Sequence, residues 1–159
     1  MKAVIQRVQQ AAVEISGRIA DEIGQGLVVL LGIGETDDAE DVAYLSQKIP
    51  QLRIFSDSQD KMNLSLLDIH GEMLVISQFT LFANTRKGRR PSFMSAASPE
   101  KAEPLYQKFI AGVKSQGVNV SCGEFGADML VKIFNDGPVT ILMESADRFK
   151  SRRSAENQL

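Results

Sequence analysis

The chain has 159 residues, of which 43% are hydrophobic and 24% charged, and its 18 basic and 20 acidic side chains give a formal net charge of −2. This size and balance are typical of one globular domain with its own core, and they exclude a disordered or fibrous protein. The near-neutral charge excludes a global electrostatic attraction to nucleic acid.

The N-terminus, MKAVIQRV, lacks the apolar stretch of roughly 7 to 15 residues that a signal peptide requires. The longest apolar run, residues 26–33, is far shorter than the roughly 20 residues that cross a bilayer. The single cysteine, Cys122, cannot form an internal disulfide, which is typical of a reducing compartment. These features predict a cytoplasmic protein without a membrane segment.

A β-hairpin followed by a central strand is predicted for the N-terminal part of the chain. The segments AAVEI and RIADEI flank Ser16-Gly17, a pair that is typical of a tight turn. Residues 26–33, GLVVLLGI, are apolar on both faces, which predicts a strand buried inside a sheet rather than at its edge.

Two helices are predicted in the remainder of the chain. The first follows Asp37, whose spacing to Glu40 is that of a helix start, and Pro50 ends it. The second begins near Ser98, which precedes a proline of the first turn. Pro104 lacks a backbone donor, so either the first turn is kinked or the regular helix begins at Pro104.

Residues 77–82, SQFTLF, place three polar side chains in an apolar run that we interpret as part of an antiparallel strand. Strand alternation would put Gln78 and Thr80 on one face, where both could contact one ligand. The alternative is purely structural, because threonine is a common strand residue and Ser77 would bond locally at the strand end. Periodicity alone favours this structural alternative.

Residues 135–140, NDGPVT, lie between the apolar segments GADMLVKIF and VTILMES and predict a second hairpin. The peptide bond between Gly137 and Pro138 is either trans, which the rarity of cis bonds favours, or cis in a type VI turn. A cis bond would present backbone groups in an unusual direction without any side chain, and such features usually serve a purpose.

Together these elements predict a single-domain α+β fold over residues 1–148. Curved, mostly antiparallel β-sheets would carry two helices packed on one face. Residues 149–159, FKSRRSAENQL, contain few apolar side chains and predict a flexible C-terminal tail.

Several common kinds of active site do not fit the sequence. One histidine and one cysteine are too few for an ordinary metal site, so we predict no metal and no cofactor. The segment GIGETD has aspartate where a dinucleotide-binding loop needs its third glycine. A serine triad would depend on His70, but no G-x-S-x-G elbow is present, and Cys122 lacks a nearby base or cation to activate it.

Four basic side chains cluster in TRKGRRPSF, at Arg86, Lys87, Arg89 and Arg90. Such a cluster is either a solvated face or a surface that contacts phosphates. The pattern alone leaves both interpretations open.

Five segments taken together closely resemble the D-aminoacyl-tRNA deacylase family. They are QRV at 6–8, SQFTL at 77–81, GRRPSF at 88–93, GEFGADM at 123–129 and NDGPVT at 135–140. Two signatures of this length, in the right order and at the right separation, are far more specific than either one alone. The likeness runs from residue 1 to about residue 144, nearly the entire chain.

The resemblance implies an enzyme that hydrolyses the ester between a D-amino acid and the terminal adenosine of tRNA, and that also removes glycine mischarged onto alanine tRNA. It further implies a homodimer with its active sites at the subunit interface. A cis Gly137-Pro138 segment, held by Arg7, would reach into the pocket of the other subunit and exclude L-amino acids. Phe125 and Met129 would lie near the pocket, although Phe125 taken by itself is better explained by core packing.

The resemblance also implies roles for SQFTL. Backbone N–H groups around Phe79 and Thr80 would stabilise an oxyanion, while Ser77, Gln78 and Thr80 would position the adenosine and the ester. No base in the sequence would activate Thr80, so we assign it a positioning role first and a nucleophilic role second. The family implies that the ribose 2′-hydroxyl and an ordered water perform the attack. The basic cluster at residues 86–90 is, apart from that resemblance, a hypothesis for phosphate contacts near the tRNA acceptor end.

Two rival functions stay open. A non-catalytic tRNA-binding module of the same fold would have lost SQFTL or GPVT, whereas both segments are intact. An unrelated serine esterase would hydrolyse simple esters and depend on His70.

Overall fold

The computed structural model describes residues 1–150. Most of the predicted tail, residues 151–159, lies outside the described residues. A short 3₁₀ helix, Ser145–Phe149, closes the described part and contains Phe149, the first residue of the predicted tail. No helix in residues 1–150 is long and apolar enough to cross a membrane.

One sheet has six strands and a second sheet has two. The strands are β1 Lys2–Ile15, β2 Arg18–Ile23, β3 Gly26–Gly32, β4 Phe55–Ser56, β5 Met62–Leu64, β6 Glu72–Ser77, β7 Asn119–Cys122 and β8 Leu130–Glu144. The first half of β1 pairs with β3 and its second half with β2, while β8 pairs along its other edge. Because β2 and β3 share one edge of β1, the six-stranded sheet is curved.

The predicted N-terminal hairpin and central strand are both confirmed. Ser16 and Gly17 join β1 to β2 with positive φ angles of 52° and 76°, as a tight two-residue turn requires. β3 lies between β1 and β6, and nearly all of its residues are buried.

The sheet is mixed, and the prediction of an antiparallel strand at residues 72–77 is wrong. β6 runs parallel to both β3 and β7, although the antiparallel pairs of β1 with β2, β3 and β8 still dominate. The connection from β3 to β6 contains α1, Ala39–Lys48, and the connection from β6 to β7 contains α2, Pro99–Lys114. Such crossovers return the chain in its original direction and give parallel neighbours.

Both helices pack on one face of the sheet, as predicted. Leu45 of α1 and Phe109 of α2 are fully buried in one cluster with Val29 of β3. The regular part of α2 begins at Pro99, with Pro104 inside it, so the alternative start at Pro104 is wrong. The opposite face of the sheet contributes a smaller buried cluster formed by Val8, Ala11, Val13, Ile23, Val28, Leu74 and Ile76.

The helix start of α1 differs from the prediction by one residue. The N-cap is Asp38 rather than Asp37, and Asp41 rather than Glu40 completes the capping box. Asp37 is buried instead, where its carboxylate accepts hydrogen bonds from the Met1 ammonium at 2.5 Å and from the Gly34 amide at 2.6 Å. A buried carboxylate with two strong donors is better satisfied there than at an exposed cap.

Asp41 joins the start of α1 to the last described turn of the chain. Its carboxylate accepts from the Asp38 amide at 2.9 Å and forms an ion pair with Arg148. Burial raises the pKa of Asp41, but hydrogen bonds with Ser145 and Arg148 outweigh burial, and the pKa is lowered to about 2. The charged carboxylate therefore stabilises the folded state.

We expect Asp41→Asn to lower the free energy of unfolding at pH 7 by about 1–2 kcal/mol. This is less than the full pKa shift of Asp41 would give, because Arg148 is partly exposed and solvent screens the ion pair. Since the folded-state pKa lies below the ordinary value of 3.8, this stabilisation is present above pH 4 and is lost as the pH falls towards 2. Urea unfolding of both proteins between pH 7 and pH 2.5 measures the effect. Glu40→Gln, which removes an exposed carboxylate 3.7 Å from Arg148, is the matched control and should change stability little. A difference in free energy of unfolding between Asp41→Asn and the unsubstituted protein that stays constant down to pH 2.5 would contradict this role of Asp41.

Candidate active site

A pocket of about 430 Å³ opens where β3 and β6 end and α2 begins. Its walls are mostly apolar, and the polar atoms come from one short segment after β6. An apolar pocket with a few convergent polar groups is the usual form of a small-ligand site. Its lining residues are Leu31, Ile33, Ser77, Gln78, Phe79, Phe93, Ala96, Ala97, Pro99, Ala102, Phe125 and Gly126.

The segment SQFTLF is only partly a strand. β6 ends at Ser77, Gln78 has φ −142° and ψ 78°, which is neither strand nor helix, and Phe79–Phe82 forms a short 3₁₀ helix. The prediction of strand alternation through residue 82 is therefore wrong. Gln78 and Thr80 nevertheless lie together, because the Gln78 Nε2 donates to the Thr80 Oγ1 at 2.5 Å.

This turn leaves two adjacent backbone amides without partners. The first hydrogen bond of the 3₁₀ helix runs from the Leu81 amide to the Gln78 carbonyl at 3.2 Å. Within residues 1–150, the amides of Phe79 and Thr80 donate to no acceptor. Two free N–H groups at the mouth of an apolar pocket can bind the oxygen of a carbonyl that becomes negatively charged.

Aromatic side chains form two sides of the pocket. Phe79, which is 57% exposed, packs edge-on against Phe93 with ring centroids 5.2 Å apart. Phe125 packs on Tyr106 at 5.7 Å, and the Tyr106 hydroxyl donates to the Val75 carbonyl at 2.7 Å. Burial, followed by the charge of Cys122, raises the pKa of Tyr106, so this tyrosine is a neutral supporting residue beneath Phe125.

No side chain that lines the pocket is a carboxylate, histidine, cysteine or lysine. His70 lies just before Glu72, at the opposite end of β6 from Ser77, and the strand between them spans about 16 Å. A Ser77–His70 pair is therefore not formed. Within residues 1–150, no group of three or more His, Cys, Asp or Glu side chains is arranged to hold a metal ion.

The segment NDGPVT does not form the predicted hairpin. β8 continues through it, and both halves of β8 pair antiparallel with β1. The register jumps from Asn135 opposite Val8 to Thr140 opposite Gln6, so residues 136–139 bulge out beside Arg7. We call these residues the Gly-Pro bulge. A hairpin would have reversed the chain, whereas the long partner β1 keeps both halves in one line.

Arg7 holds the Gly-Pro bulge from inside the fold. Its side chain is only 8% exposed, and it donates to the Ile54 carbonyl at 2.6 Å and the Asp136 carbonyl at 3.3 Å. Its Nε also lies 2.9 Å from the Asp136 carboxylate. Gly137 has φ +113°, and a Cβ there would meet the Arg7 Nη2 at 2.9 Å, so only glycine fits. The Gly137-Pro138 bond is cis, as the resemblance implies.

The structure divides the predicted site residues into two groups. The first group lines the pocket and consists of Ser77, Gln78, Phe79 and Phe125. Thr80 is the next residue after Phe79 in the chain but is not itself a lining residue. Arg7 and the Gly-Pro bulge do not line it, since Arg7 pairs with Leu27 whereas the pocket begins at Leu31, about 13 Å further along β3.

Met129 also lies outside the pocket lining. It packs against the cluster on the opposite face of the sheet, close to Gly123. Phe93, Ala96 and Pro99 do line the pocket, although their sequence pattern assigned them no role. The only signal for Phe93 was its place in GRRPSF, a segment of the resemblance.

A family model and two related proteins that match this chain are all described as tRNA deacylases. A family model described as D-Tyr-tRNA(Tyr) deacylase matches residues 4–144. The chain is 57% identical to a D-aminoacyl-tRNA deacylase of Dehalococcoides mccartyi (strain CBDB1), over 96% of this chain and 99% of that protein. It is 54% identical to a D-aminoacyl-tRNA deacylase of Chloroflexus aurantiacus (strain ATCC 29364 / DSM 637 / Y-400-fl), over 97% and 96% of the two chains.

Solved structures share the fold. A structure described as c-Myc DNA Unwinding Element Binding Protein superposes with a TM-score of 0.85 at 40% identity, covering 91% of this chain and 98% of that chain. A structure from the study "Structural Analysis of a probable eukaryotic D-amino acid tRNA deacylase" superposes with a TM-score of 0.77 at 17% identity, covering 90% and 98%. The second similarity concerns the fold alone.

Proposed function

Because this chain belongs to the D-Tyr-tRNA(Tyr) deacylase family, a family of hydrolases that cleave the ester bond of aminoacyl-tRNA, we propose that it removes D-amino acids and mischarged glycine from tRNA and rejects L-aminoacyl-tRNA. The observation that carries the proposal is that the adjacent amides of Phe79 and Thr80, beside an apolar pocket, have no acceptor among residues 1–150. This arrangement suits ester hydrolysis without a metal or a protein base.

In the proposed reaction the ester carbonyl points its oxygen at the amides of Phe79 and Thr80. Water attacks the carbonyl carbon, and the two amides stabilise the oxyanion of the tetrahedral intermediate. The intermediate then expels the ribose 3′-oxygen, which takes up a proton, and the free amino acid leaves. No lining residue can act as a base, which agrees with the role that the resemblance implies for the neighbouring 2′-hydroxyl of the ribose, namely to position the water and relay its proton.

Gln78, Thr80 and Ser77 would hold the ester and the terminal adenosine. The hydrogen bond from Gln78 occupies an acceptor site of the Thr80 hydroxyl, which leaves the hydroxyl proton free to donate to the substrate. Without a base beside it, Thr80 positions the substrate rather than attacking it. Phe125 would contact the amino acid or the adenosine, and we keep Met129 as a further candidate of the same kind.

Selection by chirality would come from the Gly-Pro bulge of a second copy of the chain. The bulge of the same chain stands apart from its pocket, so a homodimer is the arrangement that can bring the two together. Leu130, Phe134 and Leu142 of β8 are 53–65% exposed and give this strand an apolar outer surface suited to such contact. Backbone carbonyls of the partner would then collide with an L side chain, whereas a D-amino acid or glycine would fit.

The alternative is a nucleic-acid-binding module of the same fold without turnover. The 40% identical structure described as a DNA-unwinding-element-binding protein and the basic cluster at residues 86–90 favour considering it. Such a module does not require the free amides, the apolar pocket or the contact between Gln78 and Thr80.

As a translation quality-control enzyme, the protein would act in the cytoplasm, where aminoacyl-tRNA is consumed.

We expect the purified protein to release D-tyrosine from D-tyrosyl-tRNA at least about 100-fold faster than L-tyrosine from L-tyrosyl-tRNA. Thr80→Ala should lower kcat/KM by roughly 10-fold, the loss expected when one hydrogen bond to substrate is removed. His70→Ala, at the far end of β6, is the control and should retain full activity. Tyrosine release from both tRNA esters measures the rates. Binding without turnover would support the alternative module, and loss of activity in His70→Ala would support a serine esterase.

A further inference from the structure

We propose that the loop of residues 84–92, here called the basic loop, binds the phosphates of the single-stranded 3′ end of tRNA as it leaves the pocket. This inference rests on the proposed function and adds the surface that holds the substrate outside the pocket. The loop closes on itself by two hydrogen bonds, from the Asn84 amide to the Ser92 carbonyl at 2.7 Å and from Ser92 back to Asn84 at 3.0 Å. Its shape is thus fixed at the base.

The charges of the basic loop have no partners in the described fold. The side chains of Arg86, Lys87, Arg89 and Arg90 are exposed, and within residues 1–150 they form no ion pair or hydrogen bond. Some basic residues elsewhere, Arg7 and Lys132 among them, pair with carboxylates of neighbouring segments. Four adjacent cations on a chain of net charge −2 form a local anion-binding surface rather than a general basic character.

The position of the loop matches the path of the substrate. Phe93, the residue directly after the loop's base, lines the pocket and packs edge-on against Phe79. From that base the loop extends to Gly88, which has a positive φ of 71°, and two of the four cations lie on each side of Gly88 in the chain. A strand that leaves the pocket past Phe93 would therefore pass close to these cations.

The composition of the loop favours phosphates over bases as its target. Residues 84–92 contain no aromatic side chain on which a base could stack. Arginine and lysine contacts to the backbone hold a strand in place and are independent of its sequence. The basic loop would accordingly serve tRNAs of different sequence.

The test replaces all four basic side chains of the loop by glutamine and measures kcat/KM at several salt concentrations. The plot of log kcat/KM for D-tyrosyl-tRNA against log[NaCl] should become shallower by about 3, because each phosphate contact with a single strand contributes about 0.7 to the slope. Hydrolysis of D-tyrosyl-adenosine, which has the ester but no phosphate, should be unchanged. The substitutions are Arg86→Gln, Lys87→Gln, Arg89→Gln and Arg90→Gln.

A matched control replaces Arg18, Lys108 and Lys114, exposed basic residues away from the pocket lining, and should keep the wild-type salt slope. Thermal unfolding checks that the loop variant is folded, and the four single variants, each expected to change the slope by about 0.7, serve if it is not. An unchanged slope in the loop variant, or an equal change in the control, would overturn the inference. If the wild-type protein cleaves neither ester, the proposed function itself fails, which is a distinct result.

Discussion

We expect Phe79→Pro to hydrolyse D-tyrosyl-tRNA about 100- to 1,000-fold more slowly than Phe79→Ala, with kcat rather than KM carrying the difference. The proline variant lacks the Phe79 amide, one of the two adjacent donors at the pocket that have no acceptor in the described part of the chain. Removing one donor of an oxyanion hole typically costs this factor, equivalent to about 2.7–4 kcal/mol of transition-state stabilisation. The alanine variant keeps the amide and loses only the ring.

Proline is compatible with the backbone at this position. Phe79 is the first residue of the 3₁₀ helix, where an amide has no intrahelical acceptor and proline is tolerated. The preceding residue, Gln78, has φ −142° and ψ 78°, which lie outside the helical region that proline disfavours in its neighbour. The variant should therefore fold, and the two proteins differ in one N–H group once the ring is absent from both.

The comparison separates the amide from the aromatic ring. Phe79→Ala loses the edge contact with Phe93 and is expected to change activity modestly. Single-turnover measurements on D-tyrosyl-tRNA give the chemical rate, and thermal unfolding checks that both variants are folded. Equal single-turnover rates for Phe79→Pro and Phe79→Ala would show that this amide does not stabilise the transition state.

We expect Arg7→Lys to reduce the preference for D- over L-tyrosyl-tRNA by about 10- to 150-fold. Lysine keeps the charge, but it cannot span the Ile54 carbonyl, the Asp136 carbonyl and the Asp136 carboxylate as the guanidinium does. Loss of hydrogen bonds to a charged group typically costs about 1.5–3 kcal/mol, and the Gly-Pro bulge would be held less rigidly. A looser bulge would admit L side chains.

The control for Arg7→Lys lies on the same strand and faces the same neighbour. Lys2 of β1 forms a partly exposed ion pair with Glu144 of β8 at 3.4 Å, so Lys2→Gln should leave the D/L preference unchanged. If Arg7→Lys is unfolded, Asp136→Asn removes the carboxylate of the pair from a partly exposed position and tests the same contact. A folded Arg7→Lys that still rejects L-tyrosyl-tRNA would contradict the proposed role of the bulge.

Mixed dimers test whether the bulge acts on the partner's pocket. A dimer of one Phe79→Pro chain and one Arg7→Lys chain contains one pocket with intact amides, located in the Arg7→Lys chain. If the bulge acts across the interface, that pocket faces an intact bulge and cleaves only D-tyrosyl-tRNA, at about half the wild-type rate. If the bulge acts within its own chain, the same pocket also cleaves L-tyrosyl-tRNA. Two different affinity tags allow the mixed dimer to be purified.

Local patterns in the sequence were sufficient for the elements that depend on near neighbours. The turn at Ser16-Gly17, the buried strand at residues 26–33 and the two helices follow from turn chemistry and hydrophobic periodicity, which act within a few residues. The same patterns placed the cap of α1 one residue early. The carboxylate of Asp37 finds stronger donors in the distant Met1 ammonium and the Gly34 amide, which no local pattern shows.

Short motifs indicated the family and four of the twelve residues that line the pocket, Ser77, Gln78, Phe79 and Phe125, but not the backbone geometry that gives them a chemical role. Whether residues 136–139 form a turn or a bulge depends on β1, which pairs with both halves of β8 although it is more than 100 residues away in the chain. The free amides of Phe79 and Thr80 arise because β6 ends at Ser77 and the chain turns into a 3₁₀ helix, which residue periodicity did not reveal. Side-chain patterns report burial along one segment, whereas hydrogen-bond partners and pocket walls are supplied by segments remote in sequence, and these become visible only in the folded chain.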